Sequence, residues 1–309
     1  MFFEGSEKKI ELVVAPGSPS LRKLGREFWE NIVAKCRAQI LSSVSNESLD
    51  AYLLSESSLF VWEDRFLMIT CGRTMLINSI LEFIKVYDPR LVECLIFQRK
   101  NEYDSREQIT SFLEDISKLR ADFPGIALRF GKLDGHYNYL FHLERAYTPS
   151  FDDHTAELLM YHIEGEGAKY LLSDGQTVEG VRQLLGLEKL IPEAKFDDYL
   201  FEPFGYSMNA IIGDRYLTMH ITPQEDSSYV SFETDLDVDI AYTDILPHLV
   251  RALNPGSFDF VTFNLSLENN FGNNYITASN FREALCCGYT VDFKHFHRKD
   301  EQIRHALRL

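Results

Sequence analysis

The peptide bond between Glu56 and Ser57 places a hydroxyl on the C-terminal side of a carbonyl, within Leu54-Ser55-Glu56-Ser57-Ser58-Leu59-Phe60-Val61. Given good positioning and a stabilised oxyanion, such a hydroxyl attacks the carbonyl before it and turns an amide into an ester. Loss of the Cα proton of Ser57 then cuts the chain by β-elimination and leaves a dehydroalanine. Hydrolysis converts that residue to a pyruvoyl group, an electrophilic ketone that needs no bound coenzyme. Ser-Glu-Ser-Ser is equally ordinary turn material, because serine bonds its own backbone. A thiol follows at Cys71, and Ser207 and His220 come later. By residue type alone, Cys71 reads as a small buried hydrophobe, His220 between Met219 and Ile221 as a core histidine, and Ser207 as the start of a hairpin.

Short apolar runs at Ala51 to Leu54, Leu59 to Trp62 and Phe66 to Ile69 predict strands on both sides of the serines. Upstream, a strand at Ile10 to Ala15 leads into Pro16-Gly17-Ser18-Pro19. Leu21, Leu24, Phe28, Ile32 and Cys36 then recur at helical spacing, which predicts a helix from about Pro19 to Ala38 with Ser18 as its N-cap. Further helices are predicted over Thr74 to Tyr87, Arg106 to Ala121, Asp152 to Ile163, Thr177 to Leu185 and Tyr242 to Leu253. In the fourth of these six, Leu158, Leu159 and His162 carry the helical spacing, with Asp152 or Asp153 as cap. Strands are predicted at Leu91 to Gln98, Ile126 to Phe130, Tyr137 to Leu143, Tyr229 to Thr234, Phe258 to Leu265, Asn274 to Ala278 and Thr290 to His297. Ser207 to Ile212 and Tyr216 to Thr222 form a hairpin turned by Gly213-Asp214. Glu164 to Gly167 and Ile191 to Glu193 read as loops. The pattern implies antiparallel sheets covered by helices in a single domain, residues 1–309.

At 309 residues and 45% apolar content, the chain can bury a large core. Its net charge of -16 argues against nucleic acid or an anionic membrane as the main partner and favours cationic ligands. Five cysteines without a Cys-x-x-Cys pair are too few for a disulfide framework. With no basic leader or long apolar segment visible, a cytoplasmic protein is expected. No phosphate-binding glycine loop occurs, and His295-Phe296-His297 lacks further ligands at metal spacing, so no metal is expected.

The stretch Leu54 to Val61, with Arg65-Phe66 and Thr70-Cys71-Gly72, closely resembles the processing-site region of eukaryotic-type S-adenosylmethionine decarboxylases. Four more segments match that family in order: Phe2-Phe3-Glu4-Gly5-Ser6-Glu7-Lys8, Gly205-Tyr206-Ser207-Met208-Asn209, His220-Ile221-Thr222-Pro223, and Ser228 to Thr234. After about Asn264 the match is less specific. The resemblance implies an α/β (α+β) fold, a four-layer α/β/β/α sandwich in which two antiparallel sheets face each other under outer helices. It also implies self-cleavage into a small chain, 1–56, and a large chain, 57–309. The activity implied is decarboxylation of S-adenosylmethionine to the aminopropyl donor for spermidine and spermine synthesis, through a Schiff base with the pyruvoyl group.

Residue by residue, the resemblance makes Ser57 the source of the pyruvoyl group, Cys71 the proton donor in turnover, His220 the base in processing and Ser207 its partner. Glu4 matches a residue near substrate and processing site, and Glu7 one that affects processing and activity. Phe3 and Phe201 match the aromatics that stack adenine. Where the family has a ribose-binding Glu after the His-Ile-Thr-Pro segment, this chain has Gln224 and then Glu225; Gln224 is expected to point into the site and Glu225 to solvent. Glu11, Asp153, Thr155, Glu157 and Glu233 match the acidic cluster that binds the activator putrescine in animal members. Those members carry Lys where this chain has Ile69, so putrescine is a candidate activator here rather than an expected one. A homodimer, or a heterodimer with a paralogue, is left open. Two other readings compete. A dead, activating paralogue has no reason to retain Ser57, Cys71, Ser207 and His220, and a pyruvoyl decarboxylase of a smaller amino acid has no need of Phe3 and Phe201.

Overall fold

The computed structural model describes residues 5–225, 227–267 and 271–299, so Phe3 and Glu4 lie outside the described residues. Its N-terminal half contains β1 (Lys8–Val14), α1 (Gly25–Lys35), β2 (Ile40–Ser45), β3 (Asp50–Leu54), β4 (Ser57–Val61), β5 (Arg65–Thr70), α2 (Leu76–Val86), β6 (Val92–Arg99), α3 (Phe112–Leu119), β7 (Gly125–Gly131) and β8 (Tyr137–Leu143). The C-terminal half contains β9 (Thr155–Ile163), α4 (Glu166–Leu171), α5 (Val178–Leu185), α6 (Leu187–Leu190), β10 (Lys195–Leu200), β11 (Tyr206–Ile212), β12 (Arg215–Thr222), β13 (Tyr229–Thr234), α7 (Ile245–Leu253), β14 (Pro255–Phe263), β15 (Tyr275–Ala284) and β16 (Thr290–Arg298).

Each half folds into one eight-stranded antiparallel sheet, and the strand orders are the same: β2-β3-β4-β5-β1-β6-β8-β7 and β10-β11-β12-β13-β9-β14-β16-β15. Side chains alternate across each strand, and the apolar clusters show where each face goes. Ile10, Leu12, Leu59 and Met68 pack under Trp29, Ile32, Ile80 and Ile116 of the first-half helices. Leu158, Met160, Leu217 and Phe232 pack under Val181, Leu185 and Leu249 of the second-half helices. Between the sheets, Ile96 and Leu140 meet Val261 and Phe293, while Phe60 and Ile69 meet Ile211 and Tyr216. These are the expected four layers. No helix among the described residues is long and apolar enough to cross a membrane.

Several expected elements differ. The helix predicted over Asp152 to Ile163 is the central strand β9. Its Ala, Glu, Leu and Met content favours helix locally, but pairing with β13 on one side and β14 on the other overrides that preference. Both faces of β9 are covered, Ala156, Leu158 and Met160 by helices and Glu157, Leu159 and Tyr161 by the other sheet. No polar alternation survives to betray the strand. Asp152 and Asp153 therefore cap nothing and precede a strand. The helix predicted from Pro19 is a 3-10 turn at Arg22–Leu24 followed by α1, with a break at Gly25, whose φ is +80°. The helix predicted from Arg106 begins only at Phe112, where Ser111 and Glu114 form a reciprocal capping box. β2, β10, α4 and α6 were not foreseen, and α4 starts inside the expected Glu164 to Gly167 loop.

Candidate active site

Ser57 opens β4, paired with Leu54 across a two-residue hairpin loop and with Thr70 of β5. Loops that short favour Gly, Asn or Asp because they need φ > 0. Ser55-Glu56 offers none of these, and the positive φ falls on Ser57 at +136°. A non-glycine residue held there stores about 1–3 kcal/mol of strain. The hairpin is pinned from outside: Ser55 N–H donates to Gln39 O at 2.8 Å, and Gln39 N–H to Ser55 Oγ at 3.0 Å. Ser57 Oγ is buried without a hydrogen-bond partner among the described residues. The Glu56 carbonyl, next to it in the chain, accepts the N–H of Cys71 at 2.9 Å, a donor placed where charge would develop if that carbonyl were attacked.

Cys71 follows β5. Burial, together with the negative charge of Glu56, pushes its thiol well above the usual range, so it stays protonated. Its Sγ lies 3.9 Å from Glu56 Oε2. The segment is anchored by Lys8 Nζ, which donates to Gly72 O at 2.9 Å, and by Thr74 Oγ1, which donates to Cys71 O at 2.9 Å.

Ser207 of β11 and His220 of β12 are cross-strand partners, and Ser207 Oγ lies 2.8 Å from His220 Nδ1. The other ring nitrogen, Nε2, lies 2.9 Å from Thr218 Oγ1 and 3.2 Å from Ser58 Oγ. Both hydroxyls give their hydrogens to Asn209 Oδ1, at 3.0 and 2.5 Å. They are thus left to accept from the ring, so Nε2 carries the hydrogen and Nδ1 presents a lone pair to Ser207. Burial lowers the His220 pKa to about 3 and keeps the ring neutral at neutral pH. Ser58, Thr218 and Asn209 were not among the residues expected to matter. The hints were motif positions alone: Ser58 inside the Leu54 to Val61 stretch and Asn209 inside the Gly205 to Asn209 segment.

Glu56, Ser57, Cys71, Phe201, Ser207, His220, Gln224 and Glu225 line one open cavity of about 870 Å³. Phe201 packs edge-on against Tyr199, and its N–H donates to Gly205 O at 2.9 Å. Gly205 has φ +140°, and a Cβ there would come within 3.3 Å of the Phe201 Cβ, so glycine keeps this aromatic wall unstrained. At the rim Gln224 is half-buried and Glu225 is exposed, and both border the cavity. Glu7 is buried just before β1. It accepts from Ser231 Oγ at 2.5 Å, and burial raises its pKa to about 8.

The acidic residues gather elsewhere between the sheets. Lys9 Nζ lies 2.9 Å from Glu157 and 2.7 Å from Glu233; Lys100 also pairs with Glu157. Arg65 sits 3.3 Å from both Glu11 and Asp153 and stacks on Trp62. Tyr216 and Tyr289 donate to Glu233 and Asp153 at 2.5 and 2.7 Å. Two ammonium groups hold Glu157 ionised, well below the usual carboxylate range, whereas burial drives Glu11 and Glu233 upward. Thr155 is buried at the start of β9. Nothing in the acidic residues themselves announced Lys9, Lys100 and Arg65 as their partners.

The family profile described as adenosylmethionine decarboxylase matches residues 1–306. The S-adenosylmethionine decarboxylase proenzyme of Dictyostelium discoideum is 32% identical over 277 residues, 83% of this chain and 73% of that protein. That of Drosophila melanogaster is 33% identical over 293 residues, 85% and 82% of the two chains. The crystal structure of the Trypanosoma brucei AdoMetDC-delta26 monomer superimposes with a TM-score of 0.61 at 25% identity, covering 78% of this chain and 99% of that one.

Proposed function

This chain belongs to the adenosylmethionine decarboxylase family, and from that premise we propose that it is a proenzyme that cleaves itself between Glu56 and Ser57 and then decarboxylates S-adenosylmethionine. The observation that carries the processing step is Ser57 itself: a strained φ of +136° and a buried hydroxyl with no described partner. Its Oγ attacks the Glu56 carbonyl carbon, whose oxygen leans on the Cys71 N–H. The C–N bond breaks, and residue 57 is left with a free amine and an ester to Glu56. Removal of its Cα proton expels the Glu56 carboxylate, and water then replaces nitrogen, which leaves as ammonia. His220 Nδ1 is the basic atom for that proton, with Ser207 Oγ at 2.8 Å as its hydrogen-bond partner. So weak a base suits a step each chain performs once.

The cavity fits a pyruvoyl group at residue 57, which would form part of its wall and supply a carbonyl that draws electrons from the carbon losing CO₂. The chain's own residues do the rest. Cys71, protonated, gives a proton to the product carbon; Phe201, with Phe3, stacks the adenine; Gln224 contacts the ribose through one accepting oxygen. Glu7, carrying a proton, takes the role in processing and activity that the resemblance assigns to it.

Buried carboxylates need cations, and Lys9, Lys100 and Arg65 supply them to the Glu11, Asp153, Glu157 and Glu233 network. A diamine is therefore redundant, and the enzyme works without putrescine. The product serves as aminopropyl donor for spermidine and spermine. Release of CO₂ from carboxyl-labelled S-adenosylmethionine tests the activity: release that is lost in Ser57→Ala and unchanged by putrescine is expected, and no release from cleaved protein would refute it.

A further inference from the structure

The inner row of the second sheet that carries Ser207, His220 and Ser231 continues through Leu159 to Asp259 of β14 and His295 of β16. The Asp259 carboxylate, 1% exposed, accepts from three donors there: His295 Nδ1 at 2.6 Å, His136 Nδ1 at 3.2 Å and the Tyr161 hydroxyl at 3.0 Å. His136 comes from the β7–β8 turn of the first sheet, so the cluster spans the two halves. An ionised carboxylate only accepts, and both Nδ1 atoms must therefore carry the hydrogen. A neutral imidazole protonated at Nδ1 has a bare lone pair at Nε2. The His136 and His295 rings stack with centroids 4.1 Å apart and planes 21° apart. His297, two residues along β16 and so on the same face, brings its Nε2 to 3.0 Å from His295 Nε2.

We propose that His136, His295 and His297 bind a divalent transition-metal ion of the Zn²⁺ class through Nε2, with Asp259 as the carboxylate that orients the rings. A carboxylate on the far nitrogen is the usual support of a metal-bound histidine. Tetrahedral ligation at ~2.0–2.1 Å sets ligand nitrogens roughly 3.3 Å apart, close to the 3.0 Å between His295 and His297. His136, Asp259 and His295 each bring a ligand-type atom within 4.8 Å of the others, so the three side chains already converge. Imidazole donors select Zn²⁺, Ni²⁺ or Co²⁺ over Mg²⁺ or Ca²⁺. None of these histidines lines the cavity around Ser57, and the ion would tie the β7–β8 turn to β14 and β16 instead of entering the reaction. The fold thus supplies the partners that the His295-Phe296-His297 segment lacks in sequence.

The test uses full-length protein without an affinity tag, stripped with a chelator and titrated with Co²⁺ or Zn²⁺. One ion per chain is expected, with a Co²⁺ spectrum free of thiolate charge-transfer bands and a higher melting temperature in the presence of the ion. His136→Gln, in a turn, and His297→Gln, on an exposed strand end, should stay folded without metal and bind it about 10- to 100-fold more weakly; Asp259→Asn should weaken binding to the same extent. No retained ion, thiolate bands from the cysteines, or parental affinity in both His136→Gln and His297→Gln would overturn the site.

Discussion

Two polar regions share the space between the sheets and are built in opposite ways. On the second sheet they occupy neighbouring inward rows: Ser207, His220 and Ser231 in one, Asn209, Thr218, Glu233 and Glu157 in the other. Ser207 and His220 of the first row border the cavity, and the row consists of neutral groups whose hydrogens are all spoken for, with His220 held uncharged. The second ends in full charges, Glu157 and Glu233 against Lys9 and Lys100 from the first sheet. A neutral network can pass a proton along without creating an unpaired buried charge. A charged one cannot be altered at one member without leaving its partner exposed to a low dielectric. The fold therefore places the chemistry in the first row and the rigid join between the halves in the second.

Substitutions should separate the two. His220→Ala removes the basic atom from the neutral row and should slow cleavage by about 10²–10⁴-fold while the purified precursor keeps its melting temperature; a time course on denaturing gels reads it, and rapid complete cleavage would remove His220 from that role. Lys9→Ala strikes the charged row and should cost about 3–5 kcal/mol in denaturant unfolding. Added putrescine should restore part of that loss in the variant and do nothing to the parent. Stability unchanged in Lys9→Ala, or stimulation of the parent, would show that the internal cations do not replace a diamine.

Glu7 joins the two regions and gives a pH signature. Its pKa is about 8 in the folded chain against 4.5 for a free carboxyl, so between those values the folded state holds a proton that the unfolded state has lost. Stability attributable to Glu7 is fully present below 4.5 and lost as pH rises through about 8. Glu7→Gln should then melt above the parent at alkaline pH, the gap closing toward acid. Equal profiles would place the Glu7 pKa elsewhere. The smallest effect is expected at the rim, where Gln224→Glu adds a second, charged acceptor and should tighten substrate binding by about 1–2 kcal/mol. If Glu225→Ala instead abolished binding, the ribose contact would belong to Glu225.

Much of the cavity site was legible because its chemistry needs particular residue types: Ser57, Cys71, Ser207 and His220 were singled out, and they border one cavity. Ser58 and Thr218 were not, since a hydroxyl that orients a ring looks like any other strand serine or threonine. The charged row was legible only as acids. Lys9 lies in a strand that reads by its apolar residues, and its partners are more than a hundred positions away in sequence. The strand β9 was misread for the same reason that it is central: a segment buried on both faces loses the period-two alternation by which strands are recognised.

The claim on which everything rests is the fate of the Glu56–Ser57 bond, and the intact mass of the purified protein under denaturing conditions measures it directly. Two chains are predicted, residues 1–56 and 57–309, the larger lighter than its sequence by the conversion of serine to pyruvoyl and blocked to N-terminal sequencing, with Ser57→Ala remaining whole. A parent chain that stays intact, a large fragment beginning with unmodified serine, or normal cleavage in Ser57→Ala would contradict it.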